Sequence, residues 1–494
     1  MIYDMKNQSV LEKQPGDFAA LWPPYTNTLA TLEEFSSPSL MISPQVTTAI
    51  SGTLRWLSIL CKFSDIPDEP HPLDYFAEMY GDDYGELDHY WRELSFNKIN
   101  LQNSGAAGWY TLSQPLDYYL YDENGDGRPE FHFASAGHDC IAAAALNGVN
   151  LSDYFAFNLF FNAEWGGPLM AYSVEYEGQV YLVTAEIAYC PLNYVQHEMG
   201  HVLGLPHSSG NHGFTYDNIW DVMSDSYYSC AMNPQPVYGC TAQHTIAYHK
   251  DLLGWIEQEQ RLEIHPGFHE TVTLERLALP QTNHTLVIFV IIDDEYDYFD
   301  YFYTVEAREP VGYDVSMPGK AVIIHEVNTR RSNPAHIIDV DYKGETGLAG
   351  TMWLVGEVFF DPHYGIYISV DQETPTGFVT TVYNNVPGLY MTGPTSLTTG
   401  TVGKYFVMAS PYTLTQPITY SWQASDWPEF VHVNDYLSDT INLSWENEGT
   451  KTILVTAQNQ YTNLMTIYTV TVTMATPVPG DNHRVYLPLV LRSR

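Results

Sequence analysis

Residues 197 to 207, "HEMGHVLGLPH", combine side chains that bind zinc with one that can move a proton. His197 and His201 are four residues apart, so on a helix their imidazoles lie on one face, one turn apart. Zinc prefers such ligands in tetrahedral geometry, and a catalytic site needs a third protein ligand and one open position. Gly204 permits a sharp turn after the helix that brings His207 back to the metal. The pattern H-E-x-x-H-x-x-G-x-x-H therefore predicts a zinc site with three histidine ligands.

Glu198 is the residue in this stretch that can act on a proton. It follows the first predicted ligand and lies between the metal-binding face and the apolar face of the helix. A carboxylate in that position can take a proton from a zinc-activated water and pass it to a leaving amine. The predicted reaction is the hydrolysis of peptide bonds, with Glu198 as the general base. The alternative, on these residues alone, is a helix that carries histidines on its surface.

A helix over residues 192–203 must hold the two ligands, and its sequence is amphipathic. Its apolar face opposes the histidines and consists of Leu192, Val195, Met199, Val202 and Leu203. A strand in "GQVYLVTAEIAYC" precedes this helix. "TAQHTIAYHKDLLGW" predicts a later helix that ends at Gly254, where glycine is a natural cap. We interpret His244 and His249, in that later segment, as structural residues and not as metal ligands.

The stretch "HEMGHVLGLPHS" resembles the signature of the metzincin zinc proteases, which also carry a methionine turn beneath the metal. Here "YDNIWDVMSDSYYSC" follows, and Met223 stands sixteen residues after His207. Together with "YHKDLLGWI", "LSILCKFSD" and "YWRELSFNKINL", these motifs are similar to the immune inhibitor A and gametolysin-like secreted bacterial metallopeptidases. The resemblance covers roughly residues 52–255. It implies a metzincin-type α+β catalytic domain, a Zn²⁺ cofactor and a protein or peptide substrate.

The same resemblance has three finer implications. The strand in "GQVYLVTAEIAYC" would pair with an extended substrate by β-addition. The gametolysin likeness would narrow the substrate to glycoproteins. Some metzincins add a tyrosine ligand two residues after the turn methionine, but Asp225 stands at that position here. Tyr227 and Tyr228 are the nearest substitutes, although their spacing differs.

The sequence pattern changes after the predicted helix that ends at Gly254. Short β-type runs separated by Pro, Gly and Asn turns predict all-β structure from residue 258 onwards. A later stretch, including "PITYSWQASD", has the length of a seven-strand sandwich and resembles a polycystic-kidney-disease-type (PKD-like) domain. Trp422 and Trp445 are expected in its core, with an exposed tryptophan platform for glycan or protein binding as the alternative. The predicted fold class is an α+β metzincin-type catalytic domain followed by all-β sandwich domains. The predicted segments are a lead or pro-segment (1–50), the metzincin domain (51–257), an all-β accessory domain (258–384), the PKD-like sandwich (385–475), and a linker with a short apolar tail (476–494).

Two acidic segments raise the hypothesis of a bound Ca²⁺. "DENGDGRPE" places the oxygens of Asp122, Asn124 and Asp126 at alternating positions, as in the first half of a calcium loop. Phe133 stands where an EF-hand has glutamate, so this is not an EF-hand, and a turn between two strands explains the pattern equally well. The run "DDEYDYFDY", residues 293–301, is interpreted as the solvated face of an edge strand, with calcium as the alternative.

Five cysteines, without a CxxC pair, argue against a cysteine zinc site. Cys230 and Cys240 bracket a short loop and are expected to form a disulfide. Cys140 with Cys190 is the second expected pair. Cys61, in the apolar run "LSILCKF", is expected to be a buried free thiol.

Composition limits the classes of partner. The 494 residues include 59 acidic and 20 basic side chains, a formal net charge of −39. Such a surface repels nucleic acid and anionic lipid. It attracts divalent cations and basic substrates, although an adaptation to a salty or acidic medium explains it as well. No run approaches the roughly 18 apolar residues of a membrane span, and no signal-peptide h-region is visible at the N-terminus.

The sequence thus supports a secreted or cell-surface bacterial zinc endopeptidase as the first hypothesis. The alternative is a non-enzymatic surface adhesin or binding protein, in which the metzincin scaffold is structural and the β-domains bind. Protease homologues that have lost their activity often lack the general base. Glu198 is present here, which favours the enzyme over the non-enzymatic alternative. A third hypothesis keeps the chemistry but restricts it to glycoproteins. The sequence makes no prediction of oligomeric state.

Overall fold

The computed structural model describes residues 49–122, 129–165, 169–210, 216–231, 234–292, 300–339, 349–361, 363–384, 388–410 and 414–474. Within these ranges strands predominate over helices. The predominance of strands after residue 258 agrees with the prediction from the sequence. The described chain divides into two compact units. The N-terminal unit contains residues 49–360 and 366–384, and the C-terminal unit contains residues 388–474 with Asp361–Gly365.

The α-helices of the described chain all belong to the N-terminal unit. They are α1 (Leu73–Glu78), α2 (Leu87–Leu94), α3 (Phe133–Leu146), α4 (Leu192–Val202) and α5 (Ala247–Leu252). Helix α3 is the longest, with 14 residues. In the described ranges, no helix combines the length and apolar character needed to cross a membrane.

A five-stranded sheet forms the centre of the region that carries the three histidines of residues 197–207. The strands up to residue 240 are β1 (Gly52–Thr53), β2 (Trp56–Lys62), β3 (Ile99–Asn100), β4 (Gly105–Thr111), β5 (Leu120–Tyr121), β6 (Glu130–Phe131), β7 (Ala156–Phe161), β8 (Met170–Tyr176), β9 (Gln179–Ile187), β10 (Ser208–Gly210), β11 (Pro234–Gln235) and β12 (Gly239–Cys240). The central sheet has the order β4-β2-β7-β9-β8. Strand β8 is antiparallel to β9 and forms one edge.

The two faces of this sheet bury different helices because side chains alternate along each strand. In β2, Trp56 and Leu60 join one apolar cluster together with helices α2 and α4. Leu57 and Ile59 join the opposite cluster, which includes helix α3. The sheet therefore supports α4, and with it the first two histidines, from one side only.

The expected role of strand β9 as a free substrate-pairing strand is wrong. Strand β9 lies inside the sheet, parallel to β7 on one side and antiparallel to β8 on the other. From residue 183 to residue 185 the strand is therefore already paired on both sides. The terminal strand on this side is β8.

In the described part of residues 261 to 383, the secondary structure consists of β-strands and a few single-turn 3-10 helices. These strands are β13 (Arg261–Ile264), β14 (His269–Glu275), β15 (Val287–Ile291), β16 (Tyr301–Arg308), β17 (Ala321–Asn328), β18 (Ala335–Ile337), β19 (Val358–Asp361), β20 (Ile366–Thr374) and β21 (Gly377–Tyr383). One sheet has the order β10-β18-β17-β16-β15-β13, and a second has the order β14-β21-β20-β19. Strand β10 follows His207 directly, so the metal-motif region contributes a strand to the first of these sheets. The predicted domains 51–257 and 258–384 thus share one unit.

The C-terminal unit is a sandwich of two sheets. Its strands are β22 (Gly388–Thr392), β23 (Ser396–Thr398), β24 (Gly403–Ser410), β25 (Ile418–Ala424), β26 (Phe430–Asn434), β27 (Ser438–Leu443), β28 (Gly449–Gln458) and β29 (Asn463–Thr473). They form a sheet β22-β24-β27 and a sheet β23-β29-β28-β25-β26, eight strands where the sequence predicted seven. Trp422 and Trp445 are buried in the core, as predicted.

One of the two predicted cysteine pairs is wrong. Cys230 and Cys240 form a disulfide as expected. Cys61 is not a free thiol, because it is bonded to Cys140, and Cys190 is free. The reason is the face of the sheet: Cys61 and Cys140 lie in the same apolar cluster, whereas Cys190 packs against the opposite one.

Candidate metal centre

Helix α4 ends immediately after the second histidine of the motif. Gly204 adopts a φ of +97°, which favours glycine because a side chain is strained there. The Gly204 N–H donates to the His201 carbonyl at 2.9 Å, and the Leu205 N–H donates to the Gly200 carbonyl at 3.0 Å. This pair of bonds is a Schellman ending. The chain therefore reverses within a few residues and returns His207 to the helix.

The three histidines of the motif converge through their Nε2 atoms. The Nε2 of His197 lies 3.2 Å from that of His207 and 3.2 Å from that of His201, and the His201 and His207 atoms are 2.8 Å apart. In a tetrahedral zinc site, ligand nitrogens are about 3.4 Å from one another. The three atoms are therefore arranged as ligands of one ion.

The opposite nitrogens of two of these rings fix the tautomer. His197 Nδ1 donates to the Val222 carbonyl at 2.7 Å, and His201 Nδ1 donates to the Leu205 carbonyl at 2.8 Å. A carbonyl oxygen only accepts, so Nδ1 carries the proton and Nε2 presents a lone pair. Lone pairs that face one another at this distance repel unless a cation lies between them. The donor set therefore fits a zinc ion, with each Nδ1 partner orienting its ring.

Burial keeps the three imidazoles neutral. It lowers the pKa of His197 and of His201 below the usual histidine range. It also lowers the pKa of His207 to about 4. Neutral imidazole is the form that binds a metal. No proton has to be displaced from these rings at neutral pH.

The predicted methionine turn lies beneath the helix that carries the ligands. Met223 is fully buried, and its sulfur occupies the space that any side chain at Gly200 would need. Asp221 fixes this turn, because its carboxylate accepts the Met223 N–H at 3.1 Å and the Ser208 hydroxyl at 2.6 Å. Ser208 follows the third histidine. Asp221 therefore links the methionine turn to the segment that positions that ligand.

Glu198 directly follows His197 on α4 and is almost fully buried, with 7% of its surface exposed. Burial raises the pKa of Glu198 to about 8, and a hydrogen bond from the Ala171 N–H opposes this shift. Ala171 belongs to the edge strand β8. The predicted base is thus held next to the edge of the central sheet.

A second buried carboxyl, which was not predicted from the sequence, lies near the predicted base. Glu186 on β9 is fully buried, and both burial and the charge of Glu198 raise its pKa well above the usual range. The Cys190 thiol donates to Glu186 Oε2 at 3.5 Å. An acidic residue inside the apolar run "YLVTAEIAY" was the signal that could have found it.

A network of buried charges supports the methionine turn from the β16 side. Arg308 donates to both oxygens of Asp314 at 2.8 Å, to Glu306 at 3.0 Å and to the Trp220 carbonyl at 2.7 Å. His249 Nδ1 lies 3.1 Å from Asp221. The region after residue 258 therefore contacts the backbone that leads into the methionine turn.

The two histidines interpreted as structural belong to the same buried layer. His244 and His249 are fully buried, and His244 Nε2 lies 2.9 Å from Glu93. Lys250 donates to the Leu94 carbonyl at 2.7 Å, and burial lowers its pKa to about 7. Neither histidine belongs to the three-histidine cluster found among the described residues.

The structure does not assemble the predicted calcium loop from described residues. Asp122 is exposed, and Asn124 and Asp126 lie outside the described ranges, as do residues 293–299. The calcium hypothesis stays a prediction.

The sequence left open whether a tyrosine after the methionine turn, Tyr227 or Tyr228, lies near the three histidines. Asp225 accepts the Tyr228 N–H at 3.0 Å, and Tyr227 is exposed. The tyrosine near the histidines is instead Tyr216, whose ring centroid lies 5.0 Å from that of His207. It was not predicted because it precedes the methionine turn, whereas the family pattern directs attention to residues after it.

Comparison with known proteins assigns no family. No family model matches the chain, and no curated protein matches it. Similar solved structures include the PKD domain of an M14-like peptidase from a Thermoplasmatales archaeon, 19% identical over 18% of this chain and 98% of its own, with a TM-score of 0.15. The CARDB domain of a Pyrococcus furiosus protein in complex with di-metal ions is 14% identical over 18% of this chain and 89% of its own, with a TM-score of 0.16. Likenesses at this level carry no conclusion about the present chain.

Proposed function

We propose that this chain is a zinc-dependent endopeptidase of the metzincin type. The observation that carries the proposal is the convergence of three Nε2 atoms within 3.2 Å of one another, with Glu198 directly following His197 on the same helix. Met223 beneath the helix and Gly204 at its end are further features that the metzincin resemblance requires.

Zinc, when held by His197, His201 and His207, supplies a Lewis acid that activates water and polarises a carbonyl. The chain itself contributes the proton transfer. Glu198 is a buried carboxyl next to a predicted ligand on the same helix, a type of group that can accept and return a proton. Glu198 accepts a proton from the attacking water and delivers it to the leaving nitrogen. The Ala171 N–H orients this carboxylate.

The edge of the central sheet is the proposed binding surface for the substrate backbone. Strand β8 is terminal in its sheet, so an extended peptide can add to it as a further strand. Ala171 on this strand hydrogen-bonds Glu198. A peptide paired with β8 would therefore lie next to the base. The net charge of −39 favours basic substrates.

The proposed location is outside the cytoplasm, on the cell surface or secreted. Two disulfides are present, Cys61–Cys140 and Cys230–Cys240. Disulfides of this kind persist in oxidising compartments. The bacterial origin rests on the resemblance alone.

The test is digestion of casein and of a peptide library by the zinc-loaded protein, with and without a chelator. We expect Glu198→Ala to lower kcat by about 10²–10⁴-fold, the range for losing a general acid–base. Its zinc content should stay unchanged because the three ligands are intact. The matched control is Glu270→Ala, an exposed glutamate on β14 and away from the proposed binding edge, which should cleave like the wild type.

A different result would support the binding-protein alternative. If the protein binds one zinc per chain but cleaves neither substrate, before or after removal of residues 1–50, the peptidase proposal is wrong. Cleavage of glycoproteins alone would favour the narrower substrate class.

A further inference from the structure

Tyr216 is an aromatic residue that lies against the three-histidine cluster but outside its motif. Its ring meets His207 edge-on, at 85° and a centroid distance of 5.0 Å. Its centroid is 6.0 Å from that of His197. The residue is 50% exposed. One side of the ring is therefore packed on the cluster, and the remainder faces solvent at its rim.

The backbone holds Tyr216 in this place. Its φ is +63°, a conformation that non-glycine residues adopt rarely and that concentrates at functional sites. The next residue, Asp217, accepts the Gly210 N–H and the Ser209 hydroxyl at 3.4 Å. Both donors belong to β10, which starts directly after His207 and pairs with β18. The strand that follows the third histidine thus also anchors the segment of Tyr216.

We propose that the Tyr216 hydroxyl donates a hydrogen bond to the carbonyl oxygen of the scissile bond as that oxygen gains negative charge. This inference rests on the proposed peptidase function. A neutral phenol is a hydrogen-bond donor, and a donor fixed where charge develops accelerates the reaction selectively. The chain would supply this donor from the segment before the methionine turn, whereas some metzincins carry a tyrosine metal ligand after that turn.

Tyr216 takes part without being consumed. The water oxygen adds to the carbonyl carbon as Glu198 takes one of the protons of the water. The π pair of the carbonyl moves onto the carbonyl oxygen, which accepts the Tyr216 hydrogen bond. When the C–N bond breaks, its electron pair stays on nitrogen, which receives the proton from Glu198. The oxygen regains its double bond, and the phenol keeps its proton throughout.

The test compares Tyr216→Phe with a matched control, Tyr227→Phe, in the zinc-loaded protein. Tyr227 is also exposed, at 57%, and lies after the methionine turn. We expect Tyr216→Phe to lower kcat about 100-fold, while KM changes less than about twofold. Tyr227→Phe should resemble the wild type in both constants.

Two measurements separate this role from a structural one. The zinc dissociation constant of Tyr216→Phe should stay within about twofold of wild type, because the three ligands are unchanged. A phosphinic peptide, whose tetrahedral phosphorus carries an oxygen in the place of the developing oxyanion, should bind about 100-fold more weakly to Tyr216→Phe. Its affinity for Tyr227→Phe should match that for the wild type.

The outcomes are distinguishable. If the wild type cleaves and Tyr216→Phe cleaves equally fast, this inference is wrong and the proposed function stands. If kcat and zinc affinity fall together, Tyr216 supports the metal site structurally, and the inference is again wrong. If the wild type cleaves no peptide, the proposed function fails and the role of Tyr216 fails with it.

Discussion

The two units of the molecule differ in how many polar and charged side chains their interiors contain. Between residues 388 and 474, the buried polar side chains of the described sandwich are Ser410 and Lys451. The N-terminal unit buries Arg308, Asp314 and Asp221 completely, together with further charged residues. One interior is apolar, and the other contains a network of charges around the methionine turn.

This difference indicates what each interior does. Burying a charge costs free energy unless it is paired and hydrogen-bonded, and an apolar replacement of the whole group is often as stable. The sandwich has the interior that stability alone favours. The N-terminal unit uses its buried charges to fix one backbone segment, since Arg308 donates to the Trp220 carbonyl and Asp221 accepts the Met223 N–H. We propose that this network serves positional accuracy at the candidate metal centre.

The largest expected effect comes from breaking that network. Arg308→Met leaves Glu306 and Asp314 buried without their cation, and removing one partner of a buried ion pair costs about 3–5 kcal/mol. We expect the free energy of unfolding in urea to fall by this amount and zinc affinity to fall with it, because the methionine turn loses its support. The matched control is Lys451→Met in the sandwich, whose partner Asp426 is 59% exposed; such pairs contribute about 0–1 kcal/mol. Equal losses in the two variants would contradict the comparison.

A cavity in the apolar sandwich should have a smaller and purely structural effect. Leu443 is fully buried in the core of the C-terminal unit. Leu443→Ala should destabilise that unit by about 3 kcal/mol through lost burial and the cavity that remains. Thermal unfolding followed by tryptophan fluorescence measures the loss. Zinc affinity should stay at the wild-type value, and a parallel fall in zinc affinity would show that the units are not energetically separate.

The smallest expected effect, for each pH unit, is a change in the pH dependence of stability. Burial lowers the pKa of His325 to about 3, whereas an unfolded histidine titrates near 6.5. Between these two pKa values the unfolded state binds a proton that the folded state does not. The free energy of unfolding therefore falls as the pH drops from about 6.5 towards 3. The fall is up to about 1.4 kcal/mol per pH unit. In His325→Gln this contribution should vanish, while glutamine can still accept the Asn218 amide hydrogen bond seen at 3.1 Å. Urea unfolding at pH 6.5, 5.5 and 4.5 measures the slope, and identical slopes in both proteins would refute the assignment.

Features fixed by neighbouring residues were predictable from the sequence. The helix predicted over 192–203 runs over Leu192–Val202, because its periodicity and its glycine ending are local signals. Cys230 and Cys240, ten residues apart, pair as expected. The helix predicted to end at Gly254 is shorter than its segment suggested, Ala247–Leu252, but Gly254 does adopt a positive φ of 70°.

Features that depend on the order of strands were predicted less well. The choice between Cys61 and Cys190 as the partner of Cys140 depends on which face of the central sheet each occupies. Whether β9 is an edge strand depends on whether another strand pairs with its outer side, and β8 does so. Neither answer is encoded in the residues next to the feature, since strand neighbours come from distant parts of the chain.

The sequence by itself determined the chemistry that the three histidines and Glu198 can perform, because helical spacing and one glycine turn bring these residues together locally. Only the tertiary structure decided what surrounds them. Tyr216, Glu186 and the Arg308 network reach the site through β10, β9 and β16, whose pairing and packing are long-range. Short-range geometry follows from the sequence pattern, whereas the contacts between distant segments follow from the packing of the whole unit.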